Sequence, residues 1–454
     1  MYVFIGFLWL LLLTFVSYGW YRRDGYLFVF DMNRIAAIIW LLGIGLYDLA
    51  LSDMMHPSLP INAIAGVIVA FFLVASRYSK PDVDFLREVV KNIKPINNIF
   101  FWLLIALVAV ACLYAFWQNV SNGSLRLLSD NPSMKVEFED GYLYRLSVPL
   151  AILSWYVFRR GGTRTGRFVA LGFFALFLYV TVCDLSRGPL LWIMTGILLL
   201  ELFLRAEAKR SAKLSGKTSL LILVIAVFVV WSFDAFGALR TAGVFEASAS
   251  EYYDMKVELP TGFSWIYVYL CSPLENARYV IENAAIQSPA LSAKLFYPIY
   301  KLCANLVGQG DTFSLWVASR TDVYLYLKDS YGLTVGSFIP DALQDFWIPG
   351  VFVYLIAYTC VAAFVKKIIS SKRFNPITKL VVYPLAFQGP LWSIFDNSVV
   401  LGPIWVCIGV FLIVDLVAFR VFGSPSHKTG GSSSMEACRL CSTSEPNRRA
   451  SSFD

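Results

Sequence analysis

Residues 168–205 read FVALGFFALFLYVTVCDLSRGPLLWIMTGILLLELFLR. Two apolar runs, each close to the roughly 17–25 residues that cross a bilayer core, flank one short polar turn, Asp184-Leu-Ser-Arg187-Gly188-Pro189. Such a hairpin has too little polar surface for water and suits lipid. Composition agrees: 58% of the 454 residues are hydrophobic and 15% charged, with mean hydropathy +0.63. A soluble domain needs about 25% charge to cover its surface.

Working outward from that hairpin, apolar runs predict an all-α polytopic membrane protein of about eleven transmembrane helices. They lie at roughly 1–20, 35–52, 61–76, 98–117, 143–158, 168–183, 189–204, 218–233, 346–365, 380–395 and 399–419. The first run lacks a basic lead and an A-x-A cleavage site, and Arg22 and Arg23 follow it, so it reads as a permanent anchor. With the N-terminus outside, segments 20–34, 77–95, 159–167, 205–217, 366–379 and 420–454 are cytoplasmic and hold 27 of the 38 Lys and Arg residues. The short outer segments 53–60, 184–188 and 394–398 hold one, Arg187. That asymmetry sets the orientation. The chain then divides into helices one to eight (1–234), a large periplasmic segment (235–345), helices nine to eleven (346–420) and a disordered cytoplasmic tail (421–454) rich in Gly and Ser. Segment 235–345 holds eleven acidic and seven basic residues beside the apolar stretches Gly262–Leu270 and Leu291–Val307. It therefore reads as partly helical, its helices lying at the interface or packed back over the bundle.

Three features could carry chemistry. Arg187 sits in a turn where Gly188 permits close approach and Pro189 suits a first helical turn; it either binds an anion or pairs with Asp184. Arg240, just past the eighth run, falls at the same face, and its alternative is a cation reaching for interfacial water. Two arginines together can grip a diphosphate with no metal ion. The acids closing the segment, Asp341 and Asp345, are candidate proton acceptors, against the plainer reading of helix-start acids. Two histidines occur, His56 and His427; His56, in MMHPSLP, reads as a turn residue with a base role as the alternative. Cys271 and Cys303 share the long segment, although spacing alone does not bring them into disulfide range. Cys438-x-x-Cys441 lacks a second pair, and the D-x-D at Asp82 and Asp84 sits in a basic cytoplasmic stretch. No nucleotide loop, dinucleotide motif or zinc signature is present, and nothing points to nucleic acid.

Taken in order, Ser186-Arg187-Gly188, Arg240, the run Ile266-Tyr-Val-Tyr-Leu-Cys-Ser-Pro-Leu-Glu-Asn276 and Gly336–Gly350 (GSFIPDALQDFWIPG) resemble the O-antigen polymerase (Wzy-type) family of oligosaccharide repeat-unit polymerases. The resemblance covers residues 180–365. It implies a GT-C-like, metal-independent glycosyltransferase of the inner membrane, working at the periplasmic face in lipopolysaccharide or other surface-polysaccharide biosynthesis. The implied substrate is an undecaprenyl-diphosphate-linked oligosaccharide amid membrane lipids. A chain-length regulator and a flippase of the same pathway are implied partners, and no cofactor is implied. On this reading Arg187 and Arg240 hold the diphosphate, Asp341 or Asp345 takes the proton, and Arg278, Arg320, Asn276 and Tyr324 contact sugar or phosphate. O-antigen ligases share the architecture but carry a histidine in the long loop, which here has none. A lipid-linked oligosaccharide flippase or other transporter is the rival from another class, although no repeated halves are visible.

The basic-residue pattern places residues 235–345 outside and 205–217 inside. An engineered thiol at Ser250 is expected to react with a membrane-impermeant reagent added to intact cells; its protection there would reverse the topology.

Overall fold

Backbone polar groups have no partner in lipid, so an apolar chain of this kind closes its hydrogen bonds inside helices. The computed structural model describes residues 1–78, 99–129, 144–160, 163–185, 187–208, 216–241, 249–283, 292–320, 336–371, 373–395 and 402–422, with positions 327, 331, 333 and 397. Among them the helices are α1 (Tyr2–Asp24), α2 (Met32–Asp48), α3 (Leu59–Tyr78), α4 (Ile99–Ser121), α5 (Ser147–Arg160), α6 (Arg164–Cys183), α7 (Arg187–Ala208) and α8 (Gly216–Thr241). There follow α9 (Ala249–Tyr252), α10 (Thr261–Asn283), α11 (Tyr297–Leu306), α12 (Gly310–Arg320), α13 (Phe338–Phe346), α14 (Ile348–Ser370), α15 (Pro376–Trp392) and α16 (Gly402–Phe422). No strand is formed among the described residues beyond the isolated bridge Ser52↔Met255.

The protein is a helical, membrane-embedded bundle. Seven of these helices, α1, α3, α4, α6, α7, α8 and α14, are long and apolar enough to cross a bilayer. Local chemistry sets several of their ends. Asp31 caps α2 by accepting the backbone N–H groups of Asn33 and Arg34, and Thr163 caps α6 through the N–H of Gly166. Asn375 caps α15 ahead of Pro376, whose missing N–H costs nothing in a first turn.

Two shorter helices form the middle. Both α2 and α15 run 17 residues, and α15 is buried on all sides from Thr378 to Pro390. A helix covered all round belongs to an interior. Around them lie two cores. One joins α4 to α7, α15 and α16 through residues such as Ile105, Phe177, Leu200 and Phe387. The other joins α2, α3, α10, α13 and α14 through Trp40, Phe72, Val268, Phe338 and Tyr358. By contrast α1 fully buries only Gly6, packing Trp9, Leu12, Leu13 and Trp20 on the second core and leaving Phe4, Phe7, Leu11 and Phe15 exposed.

For the long segment the structure decides between the two placements expected of its apolar stretches. Gly262–Leu270 belongs to α10, a 23-residue helix packed against α2, α3 and α8. More than half of its residues are buried, among them Trp265, Val268, Cys271 and Glu275. Of the two expected placements this stretch takes the one packed back on the bundle, not the interfacial one. Trp265 lies directly over Gly237 of α8, where a Cβ would occupy the indole. The second stretch gives α11, which packs on α12 and leaves Ile299, Leu302, Leu306 and Leu315 exposed around the turn at Gly308. Cys271 is buried and Cys303 exposed, and both are free thiols. Helix α8 continues to Thr241, so the boundary expected at 235 falls inside a helix. The tail 423–454 and the D-x-D at 82–84 lie outside the described residues.

The corner between α13 and α14 is tight. Trp347 takes φ 63° and ψ −152°, a region that strains any residue with a Cβ, while its N–H donates to Leu343 O at 2.8 Å. Three residues on, Gly350 backs onto the carbonyl of Ala342, leaving no room for a side chain. Gly350→Ala is expected to lower stability by about 1–3 kcal/mol through overpacking against backbone. The readout is the thermal unfolding midpoint of detergent-purified protein. Gly172→Ala, facing open space on α6, should leave that midpoint nearly in place.

Candidate functional site

Buried charge in a membrane bundle is costly unless it is paired, so ionic clusters mark either joints or chemistry. One cluster is a joint. Arg34, almost fully buried, reaches Asp24 at 2.6 Å and Asp31 at 3.5 Å. Arg159 donates to Glu201 at 2.6 Å, in a second pair between α5 and α7.

The opposite end, which bears the 49–58 connection and the long segment, holds the expected site residues. The turn before α7 is anchored by Leu185, fully buried at φ 50°. Leu185 and Leu190 pack with Phe236 near the end of α8. The two helix ends are thereby neighbours, with Arg187 opening α7 and Arg240 in the last turn of α8. The side chains of Arg187, Arg240 and Arg320 lie outside the described residues, as does Tyr324.

The two acids occupy different settings. Asp345 is fully buried and accepts the N–H groups of Lys294 at 3.0 Å and Leu295 at 2.8 Å, together with Tyr354 O–H at 2.8 Å. Burial pushes its pKa above the ordinary carboxylate value, with the Asp341 charge adding to the effect and those hydrogen bonds opposing it. Enclosed in this way, Asp345 ties the strand of chain before α11 to α14. Asp341, partly exposed, accepts from Asn397 Nδ2 at 2.8 Å and faces Lys294 Nζ at 3.6 Å. Asn276 is fully buried and holds two backbone positions, accepting Leu327 N–H at 3.1 Å and donating to Leu333 O at 3.3 Å. In this arrangement Asn276 serves as a clamp on the loop and is closed to a sugar.

The strongest cluster joins Arg278 and His56, each named from the sequence, to Glu275 and Tyr47, which were not. Glu275, fully buried on α10, is surrounded by donors. Tyr47 O–H reaches Oε2 at 2.6 Å and the His56 backbone N–H reaches it at 2.9 Å. Arg278 Nη2 and Nε meet Oε1 at 2.6 and 3.1 Å, and His56 Nδ1 lies 3.2 Å from the same oxygen. The remaining Arg278 nitrogen, Nη1, bonds Glu282. With all three nitrogens on two carboxylates, the Arg278 charge is neutralised inside the cluster instead of standing open for phosphate. The available signal was the helical spacing of Glu275, Arg278 and Glu282, which puts them on one face. Nearby, Asn62 Nδ2 donates to Asp48 Oδ1 at 2.8 Å, whereas Asp48 Oδ2 is buried with no hydrogen-bond partner among the described residues. Among the described residues no group of three or more His, Cys, Asp or Glu is arranged to hold a metal ion.

No protein-family model, curated protein or solved structure matches this chain. The site is therefore read from its own chemistry.

Arg278→Met strips a buried carboxylate of its counter-charge and should destabilise the protein by about 3–5 kcal/mol. Adding Glu275→Gln removes the stranded charge and should recover a substantial part of that loss. A double-mutant cycle by denaturant titration in detergent measures the coupling; strictly additive effects would mean that the pair contributes nothing.

Proposed function

We propose that this chain joins undecaprenyl-diphosphate-linked oligosaccharide repeat units at the periplasmic face of the inner membrane, as a metal-independent polysaccharide polymerase. The proposed architecture is GT-C-like with eleven spans: the seven long helices, the shorter α2, α5 and α15, and α16. The N-terminus is outside, the tail is cytoplasmic, and the end bearing α9 to α13 is periplasmic. A chain-length regulator and a flippase of the same pathway are the proposed partners.

The observation that carries this reading is the contact of Leu185 and Leu190 with Phe236. It makes the ends of α7 and α8 neighbours and so supports a shared role for Arg187 and Arg240 on one diphosphate. The acceptor hydroxyl attacks the anomeric carbon, and the carbon–oxygen bond to the diphosphate breaks. The lipid diphosphate then leaves with negative charge that two guanidinium forks can neutralise. Buried Asp48 at the end of α2, with one oxygen lacking a hydrogen-bond partner among the described residues, favours the second reading, a proton-coupled carrier of the same lipid-linked substrate.

Removing either arginine should cost about 2–4 kcal/mol at the transition state, roughly 30- to 1000-fold in rate. Arg187→Lys keeps charge but loses the fork and should also be impaired. Polymer ladder length at matched membrane expression reads both effects, and normal ladders from both alanine variants would favour the carrier. Polymerisation in detergent is also expected to survive excess EDTA; loss of activity that magnesium restores would require a metal. Reconstitution with a lipid-linked repeat unit separates chain growth from transfer to lipid A core (a ligase) and from bare translocation.

A further inference from the structure

We propose that His56 is the base that accepts the proton of the attacking hydroxyl, with Glu275 as its positioning residue; this rests on the glycosyl-transfer reading above. The carboxylate oxygens of Glu275 receive Tyr47 O–H, the His56 backbone N–H and two Arg278 nitrogens. A carboxylate held by that many donors accepts and does not donate, so the 3.2 Å contact is Nδ1–H giving to Oε1. In the neutral imidazole this contact puts the proton on Nδ1 and leaves Nε2 with a free lone pair. Among the described residues Nε2 meets no partner, and the side chain is 56% exposed over a carboxylate with no exposure at all. A histidine serving only as a joint would be enclosed like Asn276. This one is gripped on one nitrogen and open on the other.

The loop that carries His56 is firmly held. The 49–56 connection is stitched along α10 and the turn before it. Leu51 N–H donates to the Tyr267 hydroxyl oxygen at 2.8 Å, Ser52 Oγ–H donates to Tyr253 O at 2.6 Å, and Lys256 N–H donates to Leu51 O at 2.8 Å. On the same helix Trp265 covers Gly237, three residues before Arg240. One helix, α10, therefore carries the histidine's support at Glu275 and, ten residues earlier (about 15 Å along its axis), backs the end of α8 that bears Arg240. The other acids are less suited: Asp345 is sealed, and Asp341 is tied to Asn397 and Lys294.

In the step, the acceptor oxygen bonds the anomeric carbon as its proton passes to Nε2, and the diphosphate departs with the electron pair of the broken bond. The imidazolium so formed lies against the Glu275 carboxylate, and returns its proton to the departing diphosphate or to water.

The test uses the full-length protein in proteoliposomes with a lipid-linked repeat unit. His56→Asn places an amide N–H where Nδ1–H stands and supplies no basic nitrogen. Together with His56→Ala it is expected to lower kcat by about 10²–10⁴-fold with KM and thermal midpoint nearly unchanged, and added imidazole should restore part of the alanine variant's rate. If His56→Asn polymerises at the wild-type rate, the assignment is overturned and the polymerase reading stands. A fall in rate matched by a rise in KM and a lost thermal midpoint, with no imidazole effect, also overturns it, since that is the signature of a joint. Wild-type protein that translocates without polymerising overturns both.

Discussion

A carboxylate removed from water survives as an acceptor only where donors surround it, and Glu275 meets that condition by drawing in three separate parts of the chain. Tyr47 comes from the end of α2, His56 from the connection to α3 and Arg278 from the next turn of α10. Each partner is thereby fixed relative to the others. Because α10 packs on α2, α3, α8 and α13, the cluster fastens a segment that would otherwise run outside the bundle into its interior. The buried apolar face supplies the attraction and the ionic group supplies the register, since no other position on α10 would satisfy the same donors.

The same logic separates residues with similar composition. Asp345 and Asp341 stand one helical turn apart on α13, yet one is enclosed by two backbone N–H groups and a tyrosine while the other keeps some contact with water. Arg34 and Arg278 are both bound to two carboxylates, which makes them parts of the framework. Charge that is already matched internally holds elements together; charge left partly open can act on something else.

Much of the helical plan was legible in the sequence, because lipid demands long apolar runs and polar turns interrupt them visibly. The turn at Arg187 and the proximity of its helix to the next one followed from adjacency along the chain. The depth of α10 did not, since Gly262–Leu270 is short for a span and sits among charged residues; its fit depends on Gly237 yielding space to Trp265. The partnership of His56 with Glu275 was equally hidden. The two lie 219 positions apart, and no local pattern in either segment refers to the other. Asn276 drew attention by its place in a polar motif, but burial on α10 turns it toward backbone groups at 327 and 333.

The shortness of the central helices has a geometric consequence. At about 1.5 Å per residue, the 17 residues of α2 extend only about 25 Å, less than the roughly 30 Å of a bilayer's hydrocarbon core. Helix α2 alone therefore falls short of a full crossing. Its last two residues, Tyr47 and Asp48, are nevertheless fully buried, because the 49–56 connection and α10 close over that end. Their polar groups meet protein before they meet water.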